Sequence, residues 1–99
     1  MKASIQNINK AFESRVRLGI MSILVVNEWM EYKQLKTLLD LTDGNLASHI
    51  AALEKKEFLE VRKSFIGKKP NTAYRVTKLG KKSFKEHIDA LEKLLKGIG

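Results

Sequence analysis

The sequence predicts a mainly α-helical domain carrying one small β-hairpin, and three observations lead there. Apolar residues recur at three- and four-residue spacing in several separate stretches, the mark of helices with one buried face. Between Phe58 and Val76 the pattern changes to alternation, broken by Gly67-Lys68-Lys69-Pro70-Asn71, which reads as strand, turn and return strand. A chain of 99 residues buries enough surface for one small core and no second one, so residues 1–99 form one domain.

The elements follow in order. Ile5, Ile8 and Phe12 predict an N-terminal helix within residues 1–13. Ser14 caps a helix running to about Asn27, whose Val16, Leu18, Ile20, Ile23 and Leu24 cover more than one side and place it centrally. Its run Ile23, Val25, Val26 also suits a strand, but the length of the stretch favours helix. Trp29, Met30 and Tyr32 make a brief strand or an extended corner. A short helix spans about Lys33 to Leu39 with Leu35, Leu38 and Leu39 inward, and Asp40 and Leu41 break it.

Thr42 caps the next helix, and Asp43 complements its dipole. That helix runs to about Lys56 with Leu46, Ile50 and Leu53 inward. Its other face carries Asp43, Asn45, Ala47, Ser48, Ala52 and Lys55, all small or polar at the root. Leu59, Val61, Lys63 and Phe65 then alternate with Glu60, Arg62, Ser64 and Ile66, and Thr72 to Val76 return. Thr77 caps a last helix over residues 77–96, in which Phe84, Ile88, Leu91 and Leu95 repeat at four, three and four. Trp29, Phe58 and Phe65 are assigned to the core.

Composition narrows the chemistry. The absence of cysteine excludes disulfides, thiolate zinc sites, iron–sulfur clusters and a cysteine nucleophile. No stretch approaches 18 apolar residues, and Met1 to Asn9 lacks the apolar core of a signal peptide, so a cytoplasmic protein without a membrane partner is expected. Nineteen Lys and Arg against eleven Asp and Glu give +8. Nine of the cations fall between Arg62 and Lys85 with no acid among them, which implies an anionic partner for that quarter of the chain. His49 reads as a structural histidine, and His87 has no ligand pattern around it, so neither a metal nor a cofactor is expected. No H-E-x-x-H, Gly-rich phosphate loop or G-x-S-x-G motif is present, and enzyme function has no positive support.

Two helices joined by a tight turn and followed by a basic hairpin define a winged helix-turn-helix: a three-helix core, a wing and a C-terminal helix suited to dimerisation. The stretch LKTLLDLTDGNLASHIAALE, Leu35 to Glu54, resembles the helix-turn-helix of the MarR and ArsR regulators. FLEVRKSFIGKKPNTAYRVTKLGKKSF, Phe58 to Phe84, resembles their wing and the lead into the last helix, and SRVRLGIM, Ser14 to Met21, their first long helix. The likeness is strongest to the small stand-alone winged-helix regulators of this kind. It implies a homodimeric DNA-binding transcription regulator, with repression as the usual mode. Metal sensing is not implied, because the Cys and His ligands of ArsR sensors are missing here. The chain is also too short to hold the extra helices that enclose an effector cleft in larger MarR proteins, so a small-molecule effector stays unassigned.

The site residues follow from groove chemistry. An α-helix fits the major groove when its approaching face is slim. Gly44, Asn45, Ala47 and Ser48 are therefore the candidate base readers: Asn45 for an adenine edge, Ser48 for any base, Ala47 for a thymine methyl. The amides near Asp43 and Gly44 are placed to take a phosphate. Thr42, Lys63, Lys68, Lys69, Asn71, Thr72 and Arg75 are the candidate backbone and wing contacts, with Arg15 and Arg17 approaching from the far side. Ile5, Ile8, Phe12, Phe84, Ile88, Leu91 and Leu95 are the candidate dimer seam, which would set two recognition helices on a pseudo-palindromic operator. A protein-interaction module built on the same wing and last helix is the alternative.

Overall fold

Ser14 starts the first helix as its side chain allows. Its Oγ accepts from the backbone N–H groups of Val16 (3.2 Å) and Arg17 (3.4 Å), and α1 runs Arg15–Leu24. The computed structural model describes residues 8–12 and 14–98. Helix α1 stops short of the expected Asn27 because Asn27 Nδ2 donates to the carbonyl of Ile23 at 2.7 Å, taking the acceptor that a further helical turn would use.

Strand β1 is only Met30–Glu31 and leads directly into α2, Tyr32–Leu39, where Gln34 Oε1 accepts from the Glu31 N–H at 2.9 Å. Helix α2 ends with Asp40 in the left-handed region (φ 51°). There the Leu41 N–H reaches the Lys36 carbonyl (3.1 Å) and the Asp40 N–H reaches that of Thr37 (3.3 Å). Helix α3, Asp43–Lys55, ends the same way: Glu57 sits at φ 63°, with Phe58 N–H on Leu53 and Glu57 N–H on Glu54. Both stops use an acid where glycine is commonest, and both turn the chain back into the core at an apolar residue, Leu41 and Phe58.

Strands β2 (Leu59–Ile66) and β3 (Lys69–Val76) pair antiparallel from Leu59↔Val76 to Ile66↔Lys69. Strand β1 joins the other edge of β3 through Met30↔Tyr74 and Glu31↔Ala73, giving the order β1-β3-β2. Helix α4 is Lys78–Ile98. Thr77 fixes its start: its Oγ1 accepts from Gly80 N–H (2.9 Å) and donates to the Glu57 carbonyl (2.8 Å), while its N–H bonds the Phe58 carbonyl (2.9 Å).

The core lies between α1, α2, α3 and the inner face of the sheet. Ile20, Met21, Leu24, Leu35, Leu46 and Leu53 are fully enclosed, each burial worth about 1.5–3 kcal/mol. Phe12 joins the periphery to this core, stacked on Phe58 and edge-on to Phe84, with ring centroids 5.3 Å apart in both pairs.

Several expectations are corrected. The expected N-terminal helix falls mostly outside the described residues, and its described end is a 3-10 turn, Lys10–Phe12, held by Asn9 Oδ1 accepting from the Ala11 N–H. Leu38 is 62% exposed rather than inward: Leu35 and Leu39 share the buried face, and Leu38 stands about 100° round the helix from Leu39. Phe65, assigned to the core, is 73% exposed because β2 has already left the core behind it. The hairpin turn is tighter than expected, only Gly67 and Lys68, with Lys69 to Asn71 inside β3. Pro70 is tolerated in that strand because β1 pairs only with Ala73 and Tyr74, leaving the edge beside Pro70 without a ladder partner that needs its N–H.

Candidate nucleic-acid interface

The inward residues of α3 determine what it shows to solvent. With Leu46, Ile50 and Leu53 buried, the opposite side presents Gly44, Asn45, Ala47 and Ser48, all exposed and adjacent over the first turns. A Cβ on Gly44 would meet nothing within 4 Å, so the fold places no demand for glycine there. The glycine keeps the leading edge of the helix free of side chain. Thr42 is exposed and committed as the cap, its Oγ1 accepting from Asn45 N–H at 3.2 Å. Two contacts hold this end of α3 against α2: Tyr32 Oη donates to the Asp43 carbonyl (2.9 Å), and Lys36 Nζ pairs with the Asp43 carboxylate (3.0 Å).

Arg15 and Arg17, expected on the far side, separate. Arg15 is exposed at the start of α1, whereas Arg17 Nε donates to His49 Nδ1 at 3.1 Å and so lies against α3. That bond puts the proton of the neutral imidazole on Nε2. Burial, and then the Arg17 guanidinium, hold the His49 pKa below its usual value, so the ring is neutral at pH 7. A cationic side chain of α1 is thus seated against the recognition helix through a histidine one residue beyond Ser48.

The wing divides into a tip and a base. Lys63, Lys68 and Lys69 are exposed near the tip, and Asn71 and Thr72 are half-buried along β3. Arg75 belongs to the base. It pairs with Glu60 at 2.6 Å, directly across the ladder, and its guanidinium lies 4.6 Å from the centre of the Trp29 ring. Arg62, two residues along from Glu60 on the same face, lies 4.5 Å from that ring. Trp29 is therefore half-buried against two guanidinium groups on the outer face of the sheet, not within the core, and Arg75 is already engaged by an acid and a ring. Glu60 appeared in the sequence only as one of the residues alternating along β2; a cross-strand register would have identified it as the partner of Arg75.

The expected dimer stripe also divides. Phe12 and Phe84 are 2% and 7% exposed and packed inside the same chain, so they cannot form a seam. Ile8 is half-buried, Ile5 lies outside the described residues, and Leu91 is half-buried. Ile88 and Leu95 are 40% and 75% exposed. The face that α4 turns inward is Gly80, Phe84, His87 and Ala90, with His87 Nδ1 accepting from the Asn9 N–H at 3.1 Å. That row has helical spacing too, but a glycine and a histidine hide it from a reading of apolar residues alone. Lys78, Lys81, Lys82 and Lys85 are exposed on the same helix just beyond the wing, cations whose charge is plain in the sequence but whose place is set by the start of α4.

Among the described residues, no helix is long and apolar enough to cross a membrane. Residues 16–95 match the family model of a winged helix DNA-binding domain. An uncharacterized protein of Methanocaldococcus jannaschii is 39% identical over 89 residues, covering 90% of this chain and 97% of that one. The structure of a transcriptional regulator homologue from Pyrococcus horikoshii superposes with a TM-score of 0.81 at 33% identity, covering 89% of this chain and 87% of that chain.

Proposed function

The chain belongs to the winged helix DNA-binding domain family, and from that membership we propose that it is a sequence-specific transcription regulator acting as a homodimer on double-stranded DNA. The observation that carries this reading is the slim exposed face of α3, Gly44 to Ser48, on the same scaffold as a hairpin with cations at its tip. The similarity to a transcriptional regulator homologue supports the regulatory role. Helix α3 enters the major groove, with Asn45 and Ser48 at base edges and Ala47 beside a thymine methyl. Lys63, Lys68 and Lys69 neutralise phosphates, joined by Arg15 and Arg17 of α1. Two copies set their recognition helices about 34 Å apart on a pseudo-palindromic operator, and occupancy of that site represses transcription.

The test begins with a duplex selected by the protein from random sequence. Its binding constant should fall linearly in log salt with a slope of several units. A flat response favours the protein-interaction module instead. Asn45→Ala should then weaken the selected duplex by about 1–3 kcal/mol and leave random DNA nearly unaffected. Equal losses on both would remove Asn45 from the base readers.

The dimer is assigned to the outer side of α4, where Ile88 and Leu95 are exposed and Leu91 is half-buried beside them. Leu91→Glu, and independently Leu95→Glu, should give monomers by light scattering. Leu95 is 75% exposed, so its replacement leaves the fold of one subunit untouched. Dimers persisting in both variants would place the seam elsewhere.

A further inference from the structure

Beyond Val61 the hairpin leaves the core. Every residue from Val61 to Pro70 is exposed, and β1 does not reach this part of β3. Yet this solvated ribbon carries two large apolar side chains, Phe65 at 73% and Ile66 at 62% exposure. They are consecutive in a strand and so point to opposite faces. Phe65 stands across from Pro70, and Ile66 across from Lys69. Gly67 at φ 65° begins the two-residue turn that closes the ribbon, the position that glycine takes in a tight type II′ hairpin. The tip is thus apolar on both faces, ringed by Lys63, Lys68 and Lys69, with no acid between Val61 and Lys85. The core gains nothing from these two side chains.

Resting on the DNA-binding reading above, we propose that Phe65 and Ile66 form an apolar wedge that enters the minor groove next to the recognition helix and partly unstacks a base step. Charge and reach both point to DNA. The cations around the wedge suit the phosphates that flank a groove. Val61 to Ile66 span about 17 Å at 3.3 Å per residue, and half a duplex turn is about 17 Å, so a ribbon beside a helix in the major groove reaches the neighbouring minor groove. A groove about 6 Å wide does not admit a two-stranded ribbon unopened. Apolar side chains wedged between base steps open it and kink the duplex towards the major groove, where further protein surface meets the bent DNA. The wing would then contribute through deformability of the site, a preference without base contacts.

Unstacking unwinds DNA, which a relaxed closed-circular plasmid records without knowledge of the operator. In the presence of topoisomerase I, wild-type protein should change the linking number in proportion to occupancy. Phe65→Ala with Ile66→Ala should reduce that change roughly threefold or more at matched occupancy, and Phe65→Leu alone should keep most of it, since leucine also serves as a wedge. The salt slope should match wild type, because no cation is lost. Both positions are exposed, so circular dichroism should show an unchanged melt. An equal linking-number change in the double variant, or none from wild type bound to the plasmid, overturns the wedge and leaves DNA binding intact. Failure of wild type to bind plasmid in a salt-dependent way overturns the underlying reading, and the wedge with it. Binding to vesicles of anionic lipid that the double variant loses, with the linking number unmoved, would assign the tip to a membrane surface and also overturn the wedge.

Discussion

Gly80→Ala is expected to cost about 3 kcal/mol and lower the midpoint of thermal unfolding by about 15 °C, the upper end of what overpacking does in a domain of this size. Helix propensity alone predicts the opposite sign, since alanine in place of glycine stabilises a helix interior by up to about 1 kcal/mol. The reversal is steric. A Cβ at Gly80 would lie 2.4 Å from the Phe58 carbonyl oxygen, 2.8 Å from Val76 Cγ2 and 3.1 Å from the Phe58 carbonyl carbon. The nearest obstacle is backbone, not the flexible end of a side chain. That carbonyl also accepts the Thr77 N–H at 2.9 Å, and Thr77 caps α4, so relieving the clash disturbs the junction of α3, β2 and α4 together. Gly44→Ala is the control, because its Cβ meets open space and its melt should not fall. A Gly80→Ala melt at or above that of wild type would show that α4 does not cross Phe58 at this distance.

The second large effect concerns binding. Lys68→Ala with Lys69→Ala should lower the log–log salt slope by about two and weaken all duplexes alike, by roughly 60-fold at 0.1 M salt if two phosphates lose their partners. Both lysines are exposed at the hairpin end, and neither forms an ion pair among the described residues. Their removal therefore leaves no stranded carboxylate. Filter binding at four salt concentrations measures the slope directly, and a slope equal to that of wild type would take the tip lysines off the phosphates. The Phe65 and Ile66 substitutions make the complementary case, a lost distortion at constant slope.

The order of elements was readable in the sequence because local chemistry announces it. Ser14, Thr42 and Thr77 each cap a helix with their side-chain oxygen, and such caps need only the next three residues to be recognised. The open face of α3 was readable for the same reason: three leucine and isoleucine positions determine its orientation, and Gly44, Asn45, Ala47 and Ser48 therefore face out. What was hidden depends on partners far along the chain. Phe12 has the spacing of a seam residue, but Phe58 and Phe84 enclose it from 46 and 72 residues away. Phe65 continues the alternation of Leu59 and Val61, yet alternation does not reveal where a strand outruns its core. Arg75 counts as a free cation until the register sets it opposite Glu60. Composition locates charge along the chain, and only the ladder shows which charges are already engaged.

The indole at the foot of the hairpin has a kinetic consequence. Trp29 is flanked by Arg62 and Arg75, one from each long strand, and Arg75 is further anchored to Glu60. Long side chains that would otherwise sample many rotamers already have contacts in the free protein that favour one arrangement. Immobilising such a side chain on complex formation ordinarily opposes association by about 0.5–1.5 kcal/mol, and here that ordering accompanies folding. The arm therefore meets its target at a preset angle, and only its outermost lysines have still to settle. Encounter and docking should then merge into a single step, which the emission of this lone tryptophan can follow in real time.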